Sequence, residues 1–272
     1  MKKFIAILLV LACVFAFTAC AKETPAPSEA PVATEAPVVS EAPAEPEVPA
    51  EPEVPEVPEA PAAVLTYAEY IAAELDTAVT VETYVQAKQS WWDNKATIYT
   101  QDEDGAYFLY NAACSEDDYA LLVPGTKIRV SGYKAAWSGE VEIIDATFEI
   151  IEGSYIAPAF DATALLGTDD LIAHQNEFAS FAGLTVEAAD DSGAAFLYNW
   201  DGSGEDGSDL YFNVSLDGNT YSFTVESYLT GAGTDVYEAV KALAVGDKID
   251  VEGFIYWYEG VQPHVVSVAP AA

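Results

Sequence analysis

VGDKIDVEGFIYWYEG, residues 245–260, decides how this chain is read, because a close variant, VPGTKIRVSGYKAAWSG, already stands at residues 123–139. Gly125, Lys127, Ile128, Val130, Gly132 and Gly139 match Gly246, Lys248, Ile249, Val251, Gly253 and Gly260 at one constant offset. Two earlier pairs point the same way at smaller offsets: Val81-Glu82 with Val186-Glu187, and the turn Asp104-Gly105 with Asp217-Gly218. Offsets that grow along a chain mark two copies of one unit, the second carrying loop insertions. FLYN, at Phe108 and again at Phe196, breaks that order and is read as coincidence.

Each copy parses into the same elements. Val79, Val81, Thr83 and Val85 alternate as a first strand, mirrored by Leu184, Val186 and Ala188. Residues 96–101 and 106–110 flank DEDG as a hairpin, and residues 210–216 and 221–225 flank Asp217-Gly218 likewise. A short helix follows, announced by Ser115 with Asp118 and by Thr234 before Val236, Tyr237, Val240 and Leu243. The repeated phrase is then a fourth strand, with a fifth at residues 140–144 and 264–268. Capped helical segments are expected before each first strand, at residues 66–75 and 168–178, plugging or bracing the barrel mouths.

Strand, hairpin, helix and second hairpin is the element order of the OB fold, so the chain from Leu65 to Val268 resembles two tandem five-stranded OB-like barrels. The expected fold class is therefore mainly β, with one domain over residues 64–157 and another over residues 158–272. A β-sandwich is the competing architecture, since short strands with regular turns suit it too. The phrase recurs because each barrel needs a fourth strand whose glycines allow the bend that closes it.

Ahead of these lies MKKFIAILLVLACVFAFTAC, two lysines and an apolar run ending in Thr18-Ala19-Cys20, the order of a secretory signal. The small residues before Cys20 resemble the lipobox of bacterial lipoproteins; Phe17 stands where that family usually has leucine. That resemblance implies removal of residues 1–20, lipidation (palmitate) at Cys20 and attachment outside the cytoplasm to a bacterial cell membrane. Cys13 would leave with the signal, so Cys114 is the one remaining thiol. No internal disulfide is then expected, and Cys114 is read as a small packing residue. Residues 21–63 hold most of the 15 prolines, with recurring EAP and EPEVP, and predict a disordered, extended linker. At about 3.1 Å per residue the stretch from Thr24 to Pro61 would reach roughly 120 Å.

The chain carries 45 acidic residues against ten basic ones, a formal charge of −35. That balance and the lack of a basic stripe lead to the expectation of no nucleic acid partner. All five tryptophans fall in two kinds of loop: Trp91, Trp92 and Trp200 after the first strand, Trp137 and Trp257 between the fourth and fifth. In OB folds such loops flank the binding face. These tryptophans, with Tyr256 and Tyr258 beside Trp257, are the candidate ligand-binding residues. The competing expectation is that they fold over the barrel ends and exclude water. In Tyr256-Trp257-Tyr258, strand alternation should leave either the tryptophan or both tyrosines outside.

NWDGSGEDGSD, residues 199–209, sets oxygens at Asn199, Asp201 and Ser203 as a calcium loop does, but Leu210 stands where the closing glutamate belongs, so it is read as an acidic loop. His174 and His264 have no metal-ligand spacing, and no nucleophile or phosphate motif appears, so neither catalytic residue, metal nor cofactor is expected. The expected function is non-catalytic binding on a lipid-anchored surface protein, with envelope or extracellular glycans as the leading ligand. The alternatives are a structural or protein-interaction module, and a carboxylate-dependent hydrolase.

Overall fold

The computed structural model describes residues 63–271; the leader, Cys20 and nearly all of the Pro-rich tract lie outside the described residues. Helix α1 (Tyr67–Ala72) begins with the capping box of Thr66 and Glu69, and Thr66 Oγ1 accepts the Glu69 N–H at 3.3 Å. Then come β1 (Ala78–Lys88), β2 (Lys95–Gln101), β3 (Ala106–Ala113), α2 (Glu116–Leu121), β4 (Thr126–Trp137) and β5 (Glu140–Ser154). They close into a barrel of order β1-β2-β3-β5-β4, in which β4 returns antiparallel to β1 and β3 meets β5 in parallel.

The second half repeats this plan. Its strands are β6 (Phe160–Asp161), β7 (Phe178–Glu187), β8 (Leu197–Tyr198), β9 (Leu210–Leu216), β10 (Asn219–Val225), β11 (Lys248–Phe254) and β12 (His264–Pro270). Helices α3 (Ser227–Thr230) and α4 (Asp235–Lys241) sit between β10 and β11. The sheet order is β6-β7-β11-β12-β10-β9-β8, and a further β7–β9 pairing closes five of these strands. β10 meets β12 in parallel as β3 meets β5. Both halves are thus five-stranded OB-type barrels, and the sandwich alternative does not hold. The two FLYN segments fall on β3 and around β8, which are not equivalent strands, as the offset argument requires.

Each barrel has its own core. Val81, Val85, Ile98, Leu109, Ile128 and Ile143 fill the first, and Phe181, Val186, Phe212, Phe223, Tyr237 and Val251 the second. Cys114 is buried in the first, and burial pushes its thiol up to about 11, which fits a packing role. The matched glycines of the repeated phrase mark a close approach of strands four and five. A Cβ on Gly132 would stand 2.7 Å from Ile144 O, and one on Gly253 2.4 Å from His264 O, each beside a register shift in the ladder. Backbone cannot give way there as a flexible side chain would. Gly253→Ala is therefore expected to cost about 1–3 kcal/mol, read by urea denaturation.

Two local expectations need correction. Residues Asp169–His174 form a 3-10 helix whose preceding Thr168 makes no side-chain cap bond, because its hydroxyl donates to Leu165 O at 2.8 Å instead. The fifth strand of the first barrel runs to Ser154, well past residue 144, since its outer half continues pairing with β4 as far as Thr126. Lys134 shows why α1 stays on its barrel. Its buried ammonium donates to Tyr70 O, Ile71 O and Ala73 O at 2.7–3.0 Å, satisfying the helix's terminal carbonyls.

The barrels share a third cluster of Tyr99, Phe108 and Phe254, backed by Phe178, Leu229 and Tyr256. Polar bonds frame it: Gln101 Oε1 accepts the Phe178 N–H at 2.8 Å, and Tyr99 Oη lies 2.6 Å from His264 Nδ1. Burial pushes His264 down to about 3 and Tyr99 well up, so both are neutral. With Gln89 Nε2 donating to Tyr99 Oη at 3.4 Å, the hydroxyl donates to Nδ1.

Candidate functional site

The repeated phrases meet each other. Trp137-Ser138-Gly139-Glu140 closes the β4–β5 hairpin with positive φ at both central residues, 51° and 98°, the two-residue turn whose twist suits a hairpin. Against it lies the β11–β12 connection. Glu259 N–H donates to Ser138 O at 2.7 Å, Trp257 N–H donates to Glu140 Oε2 at 2.9 Å, and the Trp257 ring covers Gly139 so closely that a Cβ there would lie 2.7 Å from it. Gln175 clamps the same turn, donating to Gly139 O at 2.8 Å and accepting from Val141 N–H at 3.0 Å.

This docking opens a cleft of about 880 Å³ between the barrels. Trp92, Trp137, Trp200, Tyr256 and Tyr258, five of the seven candidate residues, line it, together with Phe108, Tyr110, Tyr211 and Tyr228. The three tryptophans stand at its rim, 53%, 54% and 75% exposed in chain order. Trp92 is held by another two-residue turn: it and Lys95 exchange backbone bonds of 3.2 and 2.9 Å across Asp93 and Asn94, whose φ values are 47° and 56°. Asn199, φ 58°, starts the turn that lifts Trp200, with Gly202 N–H bonded to Asn199 O at 3.3 Å. The Trp137 and Tyr258 rings sit 5.1 Å apart, one from each copy of the phrase.

Trp91 and Trp257 are elsewhere. Trp91 packs on the first core and its indole N–H donates to Cys114 O at 2.9 Å. Trp257 packs on the second core, facing a smaller pocket with Thr168, Leu171 and Ile172. The Tyr256-Trp257-Tyr258 alternation therefore resolves with both tyrosines toward the cleft. Tyr256 lies on its floor, stacked at 4.0 Å on His264.

The polar lining is one of acceptors and amides: Gln89, Thr97, Asn111, Glu142, Glu226 and Gln262. Burial, with Asp209 beside it, raises Glu226 to about 7, although its carboxylate accepts the Leu229 N–H at 2.9 Å as the cap of α3. Burial also raises Glu142. Behind the cleft Glu140, wholly buried, is raised to about 8. Sequence reasoning missed these carboxylates. The available signal is their alternation directly after a tryptophan-bearing turn, which puts Glu140 and Glu142 on one face of β5.

In the residue 199–209 loop, Asp201 accepts the Ser203 N–H at 3.0 Å and Asp206 pairs with Lys241 at 2.8 Å. Among the described residues no three His, Cys, Asp or Glu side chains converge as a metal site. His174 stacks on Phe160 at 4.4 Å and meets Glu177 at 3.2 Å, away from the cleft.

The fold and cleft define a class: tandem OB-type barrels fused through a shared core, with an aromatic groove between them. No family model and no curated protein matches the chain. Solved structures do resemble it. A murine DNA-binding protein bound to double-stranded DNA is 11% identical, covering 71% of this chain and 96% of that chain, with a TM-score of 0.34. The HINb domain of p204 is 13% identical, covering 73% and 99%, with a TM-score of 0.33. A replication protein A heterotrimer bound to single-stranded DNA is 12% identical, covering 72% and 49%, with a TM-score of 0.31.

One expectation is corrected by these structures. The acidic balance set nucleic acid aside as a partner, yet chains resembling this one are bound to double-stranded and to single-stranded DNA. That exclusion is withdrawn.

Proposed function

We propose that this protein is a lipid-anchored, extracytoplasmic binding protein, without catalytic activity, that holds a glycan in the inter-barrel cleft. The supporting observation is the convergence of three exposed indoles, carried on loops of both barrels, over one groove with an acceptor-rich floor. Flat aromatic faces stack on sugar rings, and buried carboxylates and amides bond the hydroxyls. Exposed tryptophans are costly in water and repay that cost on a ligand.

Trp137→Ala combined with Trp200→Ala is expected to weaken glycan binding by at least about 30-fold without changing thermal stability, as truncating anchoring tryptophans costs about 2 kcal/mol or more. A glycan array followed by titration calorimetry reads this. Full retention of binding, or capture of only an oligonucleotide or a protein by the wild type, overturns the proposal. A hydrolytic role would draw on Glu142 and Glu226, both on the cleft, and release of reducing ends from the same array would establish it.

Anchoring rests on the sequence of the leader. Cys20→Ser is expected to move the protein from the membrane fraction to the soluble one, and unchanged partition contradicts the lipid attachment.

A further inference from the structure

Taking the glycan reading of the cleft as given, we infer that its ligand carries a protonated primary amine, as an amino sugar does, and that Glu142 receives it. Glu142 is 8% exposed, lines the cleft, and has no hydrogen-bond or ion-pair partner for its carboxylate among the described residues. Its neighbours differ in part: Glu226 accepts the Leu229 N–H, and Glu140, behind the cleft, accepts the Trp257 N–H on Oε2 while its Oε1 is buried without a partner. A carboxylate drawn largely out of water without donors or a counter-charge is costly even where its oxygens still touch solvent, and burial accordingly raises Glu142.

Among the described residues no lysine or arginine lines the cleft to supply that charge. Most basic residues of the barrels are engaged elsewhere: Lys127 and Arg129 on Glu82, Lys134 on α1, Lys241 on Asp206, Lys88 on Tyr119 O and Lys248 on Thr185 Oγ1. Lys95 stands 5.8 Å from the Trp92 ring at the rim and makes no ion pair with Glu142. Glu226 and Glu259 line the same groove and add to its negative potential. The missing cation must come with the ligand. The aromatic rim favours it further, since ring faces attract cations at about 0.5–2 kcal/mol each. A buried carboxylate wants N–H donors, which an ammonium has and a trimethylammonium lacks. The indole platforms favour that amine on a sugar ring over one at the end of a flexible side chain.

The test uses the β-1,4-linked glucosamine disaccharide and its N-acetylated counterpart, which keeps the rings and removes the charge. Calorimetry at pH 6.5 is expected to show the free amine bound at least tenfold more tightly, and Glu142→Gln, at a melting temperature no lower than the wild type's, to cut that preference below threefold. Equal or tighter binding of the acetylated sugar overturns the inference and leaves the glycan cleft standing. So does a preference that survives Glu142→Gln, which would mark diffuse attraction to an acidic surface. Binding of neither sugar alongside binding of a lysine-rich peptide overturns both.

Discussion

Glu140→Gln is expected to raise stability at pH 8.5 by about 4 kcal/mol while changing it little at pH 4.5. Burial lifts the Glu140 carboxyl from its ordinary 4.5 to about 8, and the Asn176 side chain and the Trp257 N–H on Oε2 are too little to reverse that. Below pH 4.5 folded and unfolded chains both carry the proton, so the group costs nothing. As pH rises the unfolded chain ionises first, and the fold loses stability until its own carboxyl ionises near pH 8. Each unit of that gap is worth about 1.4 kcal/mol, which sets the scale. Gln keeps the acceptor for Trp257 and removes the ionisation. Urea denaturation of wild type and variant across this range measures the difference between them, which isolates Glu140 from Glu226 and His264. A difference that stays flat with pH would contradict a buried, proton-holding Glu140.

The second large effect is at the junction of the barrels. Tyr99→Ala removes a wholly buried ring that stacks on Phe254 at 4.5 Å and packs on Phe108 at 5.1 Å. It also strips His264 Nδ1 of its partner at 2.6 Å. Loss of a core aromatic costs about 3–5 kcal/mol, and about 2–4 °C of melting temperature accompanies each kcal/mol at this chain size, so a fall of roughly 10 °C is expected. Tyr99→Phe keeps the ring and loses only the hydroxyl, for about 1–3 kcal/mol. If the two substitutions behave alike, the packing account of the junction fails. Because Tyr99 reaches across to His264, on whose ring Tyr256 stacks, Tyr99→Ala is also expected to disturb the cleft floor.

The duplicated barrels were legible because strand order, turn chemistry and the glycine-bearing phrase are local signals that repeat. Capping at Thr66, Ser115 and Thr234 was legible for the same reason, each hydroxyl bonding the N–H three residues on. Thr168 shows the limit: the same residue type spends its hydroxyl on a preceding carbonyl. The loops carrying the tryptophans were legible, but which indoles share a surface was not. Trp91 and Trp92 are neighbours in sequence and part company in space, one bonded to Cys114 and one on the rim. Trp257 looked equivalent to Trp137 and instead packs over its hairpin. Those outcomes depend on how Tyr99, Phe108 and Phe254 bring two barrels together, a contact between residues far apart in the chain. Glu142 was hidden by abundance, one acid among 45 acidic residues until its burial sets it apart.

The most direct measurement is a proton–nitrogen correlation spectrum of the five indole N–H groups during titration with a bound glycan. Binding in the inter-barrel groove predicts large shifts for Trp92, Trp137 and Trp200, with Trp91 and Trp257 nearly still. Shifts confined to Trp91 or Trp257, or a glycan that binds and moves none of the five, would contradict it.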